Sequence, residues 1–123
     1  MFNICNALLI TFSFTALILT GIITYPFKFN EIRKAKLKMQ TFSDIKVIAI
    51  TGSYGKSSMK EILTSILSTK YNVVSTFENE NTQIGIARVV NNKLNSQVEI
   101  FVVEAGAYKR GEVKKAMQIT PPD

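Results

Sequence analysis

The chain has 123 residues, 15 Lys plus Arg against 9 Asp plus Glu, no His, one Cys and 46% hydrophobic residues. That length allows one compact domain at most, which excludes a multidomain enzyme in this chain, and the apolar content excludes a disordered or collagen-like polymer. A lone Cys5 cannot form an internal disulfide, and without His the commonest transition-metal ligand and the usual triad base are missing, so neither zinc chemistry nor Ser-His catalysis is expected. The basic excess is local: residues 1–40 carry five basic residues against one acid, net +4, and the rest of the chain only +2. A nucleic-acid binder needs its basic residues spread over a domain face, so no nucleic-acid partner is expected.

No charge occurs before Lys28, and Leu8 to Phe27 reads LLITFSFTALILTGIITYPF. Twenty mainly apolar residues, with a few Ser and Thr among them, span roughly 30 Å at about 1.5 Å each, the hydrocarbon thickness of a bilayer. Residues 1–29 are therefore expected to be an N-terminal transmembrane helix. Tyr25, Phe27 and Phe29 fall where an aromatic belt lies, and the lysines from Lys28 to Lys38 place the C-terminal side in the cytoplasm, giving a single-pass membrane protein with the lipid bilayer as a partner. A cleaved signal peptide would need a basic n-region, a shorter apolar core and a small-residue cleavage site, none of which is present. A buried soluble helix is the other alternative, and such helices are rarely this long and charge-free. Cys5 receives no chemistry.

Residues 30–44 read as a basic juxtamembrane connector, with Ile32, Ala35 and Met39 at helical spacing and lysines between them. Two forms suit that pattern: a short helix lying along anionic headgroups, or a solvated linker helix.

From residue 45 onward the period changes. Ile45 to Ile50 is a nearly continuous apolar run, as expected of a buried parallel strand, and Thr51-Gly52-Ser53-Tyr54-Gly55-Lys56-Ser57-Ser58 follows directly. Ile62, Leu63, Ile66 and Leu67 then mark an amphipathic helix ending near Lys70. Strand, glycine loop and helix are the order a phosphate site requires. Gly52 and Gly55 let successive N–H groups face a polyphosphate, and the helix N-terminus adds partial positive charge. Lys56 would neutralise the β- and γ-phosphates, Ser57 would ligate the bridging magnesium, and Ser58 would add a phosphate hydrogen bond. The longer Walker pattern would need glycine where Ile50 stands, so the match is to a short form, G-x-x-G-K-S; the alternative is a purely structural turn.

Tyr71 to Thr76 reads as a second strand and Gln97 to Val103 as a third ending at Glu104, with Ile84, Ala87, Val90 and Leu94 marking a helix between them. Alternating strands and helices imply a parallel α/β sheet, whose ligands sit at the carboxyl ends of the strands. Glu104 falls on that edge, as a magnesium-holding acid would, against the alternative of an ordinary surface glutamate. Gly106 allows a tight exit, and Tyr108 to Glu112 lead into a helix with Val113, Ala116 and Met117. Lys109, Arg110, Lys114 and Lys115 suit a solvated basic face.

Three segments in order resemble the central ATPase domain of the Mur ligases, most closely the branch that adds D-alanyl-D-alanine in peptidoglycan synthesis: Thr51 to Ser58 (TGSYGKSS), Asn81 to Ile86 (NTQIGI) and Val103 to Ala107 (VEAGA). The resemblance implies an ATP-dependent acid–amino acid ligase in which a carboxylate attacks the γ-phosphate of ATP and an amine captures the acyl phosphate. It implies ATP and Mg2+ as cofactors and a cell-envelope precursor with an amino acid or peptide as substrates. Carried over by motif, Lys56 and Glu104 are catalytic. Gly52, Ser53, Tyr54, Gly55, Lys56, Ser57 and Ser58 bind nucleotide, Ser57 and Glu104 hold the metal, and Asn81 with Thr82 lies near the acceptor. Ala87 departs from the proline that often follows the I-G pair, and Ala105 from the commoner Met. The family's sugar-nucleotide-binding domain, its later metal-binding histidine, its carbamylated lysine and its C-terminal domain have no counterpart here, so residues 45–123 are expected to be the N-terminal part of the ATPase domain in a truncated chain. Two other functions stay open: a membrane-tethered P-loop NTPase acting as a regulatory switch, and a non-enzymatic membrane fragment.

Overall fold

The computed structural model describes residues 4–42, 44–78, 80–107 and 110–123, and the chain divides into two compact units, one ending at Asn30 and one spanning Glu31–Asp123. The first unit is the early part of helix α1 (Ile4–Thr41), whose described side chains up to Asn30 are all exposed. Large apolar residues from Leu8 to Phe29 are 54–73% exposed. Thr11, Ser13, Thr15, Thr20 and Thr24 each donate their hydroxyl to a carbonyl three or four residues back, at 2.8–3.4 Å. No hydroxyl between Leu8 and Thr24 therefore needs water. Pro26 lies inside α1 and removes one rung of the helical ladder, since it has no N–H to donate. The Cys5 side chain lies outside the described residues.

In the second unit the apolar face of the expected connector, from Ile32 to Phe42, packs against protein and not against headgroups or solvent. Its helix is the end of α1. Ala35 is fully buried, and Ile32, Met39 and Phe42 pack against the hydrophobic core. Asn91 Nδ2 donates to the Glu31 carbonyl at 3.0 Å and to Glu31 Oε2 at 2.9 Å, while Lys38 Nζ donates to the Asn91 carbonyl at 2.8 Å. The apolar stripe that spacing assigns to a helix face is buried against protein, and Arg33 and Lys34 on the opposite face are exposed.

Three strands follow: β1 (Lys46–Ile50), β2 (Val73–Ser75) and β3 (Ile100–Glu104), all parallel, in the order β1-β3-β2. The fully buried strand is thus β3, and β1 is half-buried because it lies at an edge. β3 begins later than the apolar run suggests, since a turn intervenes: Asn95 Oδ1 accepts from Gln97 N at 2.9 Å and the Asn95 carbonyl accepts from Val98 N at 3.2 Å. Along the outer side of β1, Asp123 N donates to the Val47 carbonyl at 3.2 Å and Val47 N donates to Asp123 Oδ2 at 2.7 Å.

Alternation along the strands divides the unit into two layers. Val47, Phe101, Val103 and Ala105 join a core with Ile86, Ala87, Val89 and Val90 of α3 (Gln83–Lys93) and with Ala116 of α4 (Glu112–Met117). Ile100, Val102 and Glu104 fall on the other face, which α2 (Lys56–Leu67) covers. Of the apolar stripe expected on α2, Leu63 and Leu67 are half-buried, whereas Ile62 and Ile66 are more than half exposed and Lys60 is buried in their place. Lys114 and Lys115 are exposed, whereas Tyr108 and Lys109 lie outside the described residues.

Candidate functional site

Parallel register sets the site. Ile50 pairs with Glu104, and Ala105 N donates to the Ile50 carbonyl at 2.9 Å, so the loop leaving β1 and the acid ending β3 emerge side by side. The loop turns into α2 at Gly55, the N-cap, with φ 71°, a left-handed conformation that strains any residue bearing a β-carbon. No side chain caps α2 there, so the donors of its first turn stay available to an anion. Thr51, Gly52, Ser53, Lys56 and Ala107 line an adjoining hollow of about 420 Å³. Lys56 Nζ donates to the Gly52 carbonyl at 2.8 Å, across this loop. Tyr54 is 97% exposed and Ser58 is also exposed; neither is held by the loop.

Beneath the loop lies a polar cluster in a buried setting. Glu104, 4% exposed, accepts from Ser57 Oγ through Oε2 at 3.0 Å and faces Asn81 Nδ2 through Oε1 at 3.5 Å. Lys60 Nζ stands 3.2 Å from the same Oε2, and Lys60 is 2% exposed. Burial pushes the Glu104 carboxyl upward, but hydrogen bonds from Lys60 and Ser57, the charge of Lys60 and the Asn81 amide outweigh it, leaving the group below the ordinary carboxylate range. Glu104 is therefore an ionised buried acid and not a surface glutamate.

The structure brings Lys56, Ser57, Glu104 and Asn81 to one sheet edge. Asn81 is held there by its backbone, whose carbonyl accepts from Gly106 N at 2.8 Å. Thr82 acts locally, since its hydroxyl oxygen accepts from Gly85 N at 3.2 Å and caps α3. Gly85 itself is required by close approach, because a β-carbon there would stand 2.8 Å from the Glu80 Cα. Two members escaped sequence reasoning. Thr76 is buried, and its Oγ1 accepts from the Glu104 N–H at 2.9 Å. Lys60 follows Ser57 by three residues, a spacing that sets both on one helix face and was the available signal.

With this geometry in hand, comparison with known proteins is specific. Residues 50–123 match the Mur ligase middle domain. The UDP-N-acetylmuramoyl-tripeptide--D-alanyl-D-alanine ligase of Buchnera aphidicola (strain APS) is 41% identical over 78 residues, covering 63% of this chain and 17% of the relative. The Escherichia coli K12 ligase of the same name is 36% identical over the same shares. Among solved structures, MurF from Acinetobacter baumannii superposes with a TM-score of 0.74 at 30% identity, covering 77% of this chain and 21% of that one. MurF from Thermotoga maritima, in complex with ADP, gives 0.71 at 34% identity over 77% and 22%. The chain spans about a sixth of the length of these curated relatives. The α/β unit with its small parallel sheet belongs to the Mur ligase family, as that family's middle domain.

Proposed function

We propose that this chain carries the nucleotide-binding part of a membrane-anchored, ATP-dependent ligase that forms an amide bond, through an acyl phosphate, on a cell-envelope precursor of the peptidoglycan type. The observation that carries the reading is the pairing of an uncapped, lysine-bearing loop with an ionised buried acid at the same sheet edge. The names of the relatives support the reaction class and the D-alanyl-D-alanine acceptor, and the ADP complex of the Thermotoga maritima neighbour supports an adenine nucleotide.

The residues fit ATP–Mg. The hollow is lined by Thr51, Gly52, Ser53 and the Lys56 ammonium and, among the described residues, by no acid, and Ser57 Oγ and Glu104 Oε2 lie 3.0 Å apart, close enough to serve one cation. ATP–Mg supplies the transferable phosphoryl group and the charge neutralisation it needs. The chain's own residues bind and orient: loop N–H groups and Lys56 take phosphate oxygens, Ser57 and Glu104 take the metal, and Asn81 steadies Glu104 and borders the acceptor side. Cooperative thermal unfolding of the full chain in detergent is expected to shift upward with ATP–Mg, by an increment that grows with ligand concentration. An unshifted transition at millimolar ATP–Mg refutes the reading.

The anchor is the stretch from Leu8 to Phe27, with the domain on the cytoplasmic side. Its exposed apolar side chains form a surface far larger than water-soluble proteins leave uncovered, and its hydroxyls are bonded within the helix, as hydrocarbon surroundings demand. The chain is expected to resist alkaline extraction from membranes with an N-terminal tag still attached. Leu17→Arg, at mid-span, is expected to oppose insertion by about 2.5–3.5 kcal/mol and to release much of the protein. Loss of the tag would instead identify a cleaved signal.

A further inference from the structure

Lys60 takes neither phosphate nor metal in the reading of this site, yet it is the most buried charge near it. Its ammonium is enclosed, stands 3.2 Å from Glu104 Oε2, and makes no hydrogen bond to any other described residue. It touches the very oxygen that Ser57 Oγ donates to. Among the described residues no group of three or more His, Cys, Asp or Glu side chains forms a metal site. Glu104 is the carboxylate that stands beside Ser57 at this edge, and a fixed cation already partners it.

We propose that Lys60 makes the metal site conditional on nucleotide, so that a divalent cation enters with the polyphosphate and not before it. The inference rests on the ATP–Mg reading of the loop. Lys56, Lys60 and Glu104 together carry one net positive charge, and a bare divalent ion approaching Ser57 and Glu104 meets that field unfavourably. A polyphosphate seated at the loop reverses its sign. Lys60 is too enclosed to touch phosphate itself. It acts as a positioning residue, holding Glu104 Oε2 against Ser57 and cancelling part of the carboxylate's pull on free metal. A neutral side chain of similar length would leave the acid as an uncompensated anion, which is a better ligand for free metal and a worse neighbour for phosphate.

The test uses Mn2+ as the probe, followed by the electron paramagnetic resonance signal of the free ion, with the full chain in detergent. Titrations are made with and without a non-hydrolysable ATP analogue, and the analogue's own affinity for Mn2+ is measured separately. Wild type is expected to bind Mn2+ poorly alone and at least about tenfold more tightly with the analogue, beyond what the analogue binds by itself. Lys60→Met is expected to raise affinity for Mn2+ alone by about tenfold and to lower affinity for the analogue, while Lys60→Arg keeps the wild-type order. Opposite movement of the two affinities is a result that simple loss of structure cannot give. Tight binding of Mn2+ alone by the wild-type chain overturns the proposal without any variant. So does a Lys60→Met chain in which both affinities fall together or neither changes. Glu104→Gln separates the two levels: if it leaves Mn2+–analogue binding intact, the metal role of Glu104 fails. If it weakens that binding while Lys60→Met changes nothing, only the role of Lys60 fails.

Discussion

Lys56→Ala is expected to weaken ATP–Mg binding by roughly ten- to hundredfold, the range that corresponds to losing a hydrogen bond to a charged group worth about 1.5–3 kcal/mol. The magnitude follows from what Lys56 does without ligand. Its ammonium bonds the Gly52 carbonyl at 2.8 Å, a neutral acceptor within its own loop, and a polyphosphate oxygen is a stronger acceptor for the same donor. Binding therefore exchanges an ammonium bond to a neutral carbonyl for one to an anion, and alanine removes both, so the affinity lost is the difference between them. Stability without nucleotide is expected to stay within about 0.5 kcal/mol of wild type, because Lys56 is partly exposed and braces no core residue. Equilibrium titration with a fluorescent ATP analogue, alongside circular dichroism, reads both quantities. An affinity equal to wild type would make the glycine loop a structural turn.

That prediction rests on residues legible from the sequence. The strand-loop-helix order placed the loop correctly, and the rule that ligands gather at the carboxyl ends of parallel strands placed Glu104 beside it, as the Ile50–Glu104 pairing bears out. What escaped is of another kind. Lys60 sits in a helix where a lysine ordinarily marks the solvent face, and its partner at the end of β3, 44 positions later in sequence, is what draws it inward. The spacing of Ile32, Ala35 and Met39 indicated a helix face, but the Asn91 contacts that bring this helix into the core are 60 positions away for Glu31 and 53 for Lys38. Strand order has the same limit. Apolar runs at Ile45 and at Gln97 look equally buried, and only the order β1-β3-β2 makes one an edge and the other a centre. Local chemistry is written locally, while charge burial is decided by topology.

The buried pair at that centre bears a large expected stability effect. Glu104→Ala would leave the Lys60 ammonium enclosed without its counter-ion and leave the Ser57 hydroxyl without its acceptor. Breaking one half of a buried pair destabilises by about 3–5 kcal/mol, a large share of the roughly 5–15 kcal/mol typical of a whole domain. Urea denaturation in detergent is expected to show the domain transition displaced to much lower denaturant, or lost. Lys60→Met combined with Glu104→Gln is expected to recover most of the loss, since the stranded charge is gone and the side-chain volumes are kept. Acid provides the same contrast without mutation. The Glu104 carboxyl titrates below its ordinary range when folded, so the unfolded chain binds its proton first as pH falls. The pair's contribution is thus complete above the ordinary carboxylate range and fades as pH drops through the lower folded value. Wild type should lose stability over that interval more steeply than the double variant, in which neither group titrates; parallel curves would mean that Glu104 and Lys60 are not coupled.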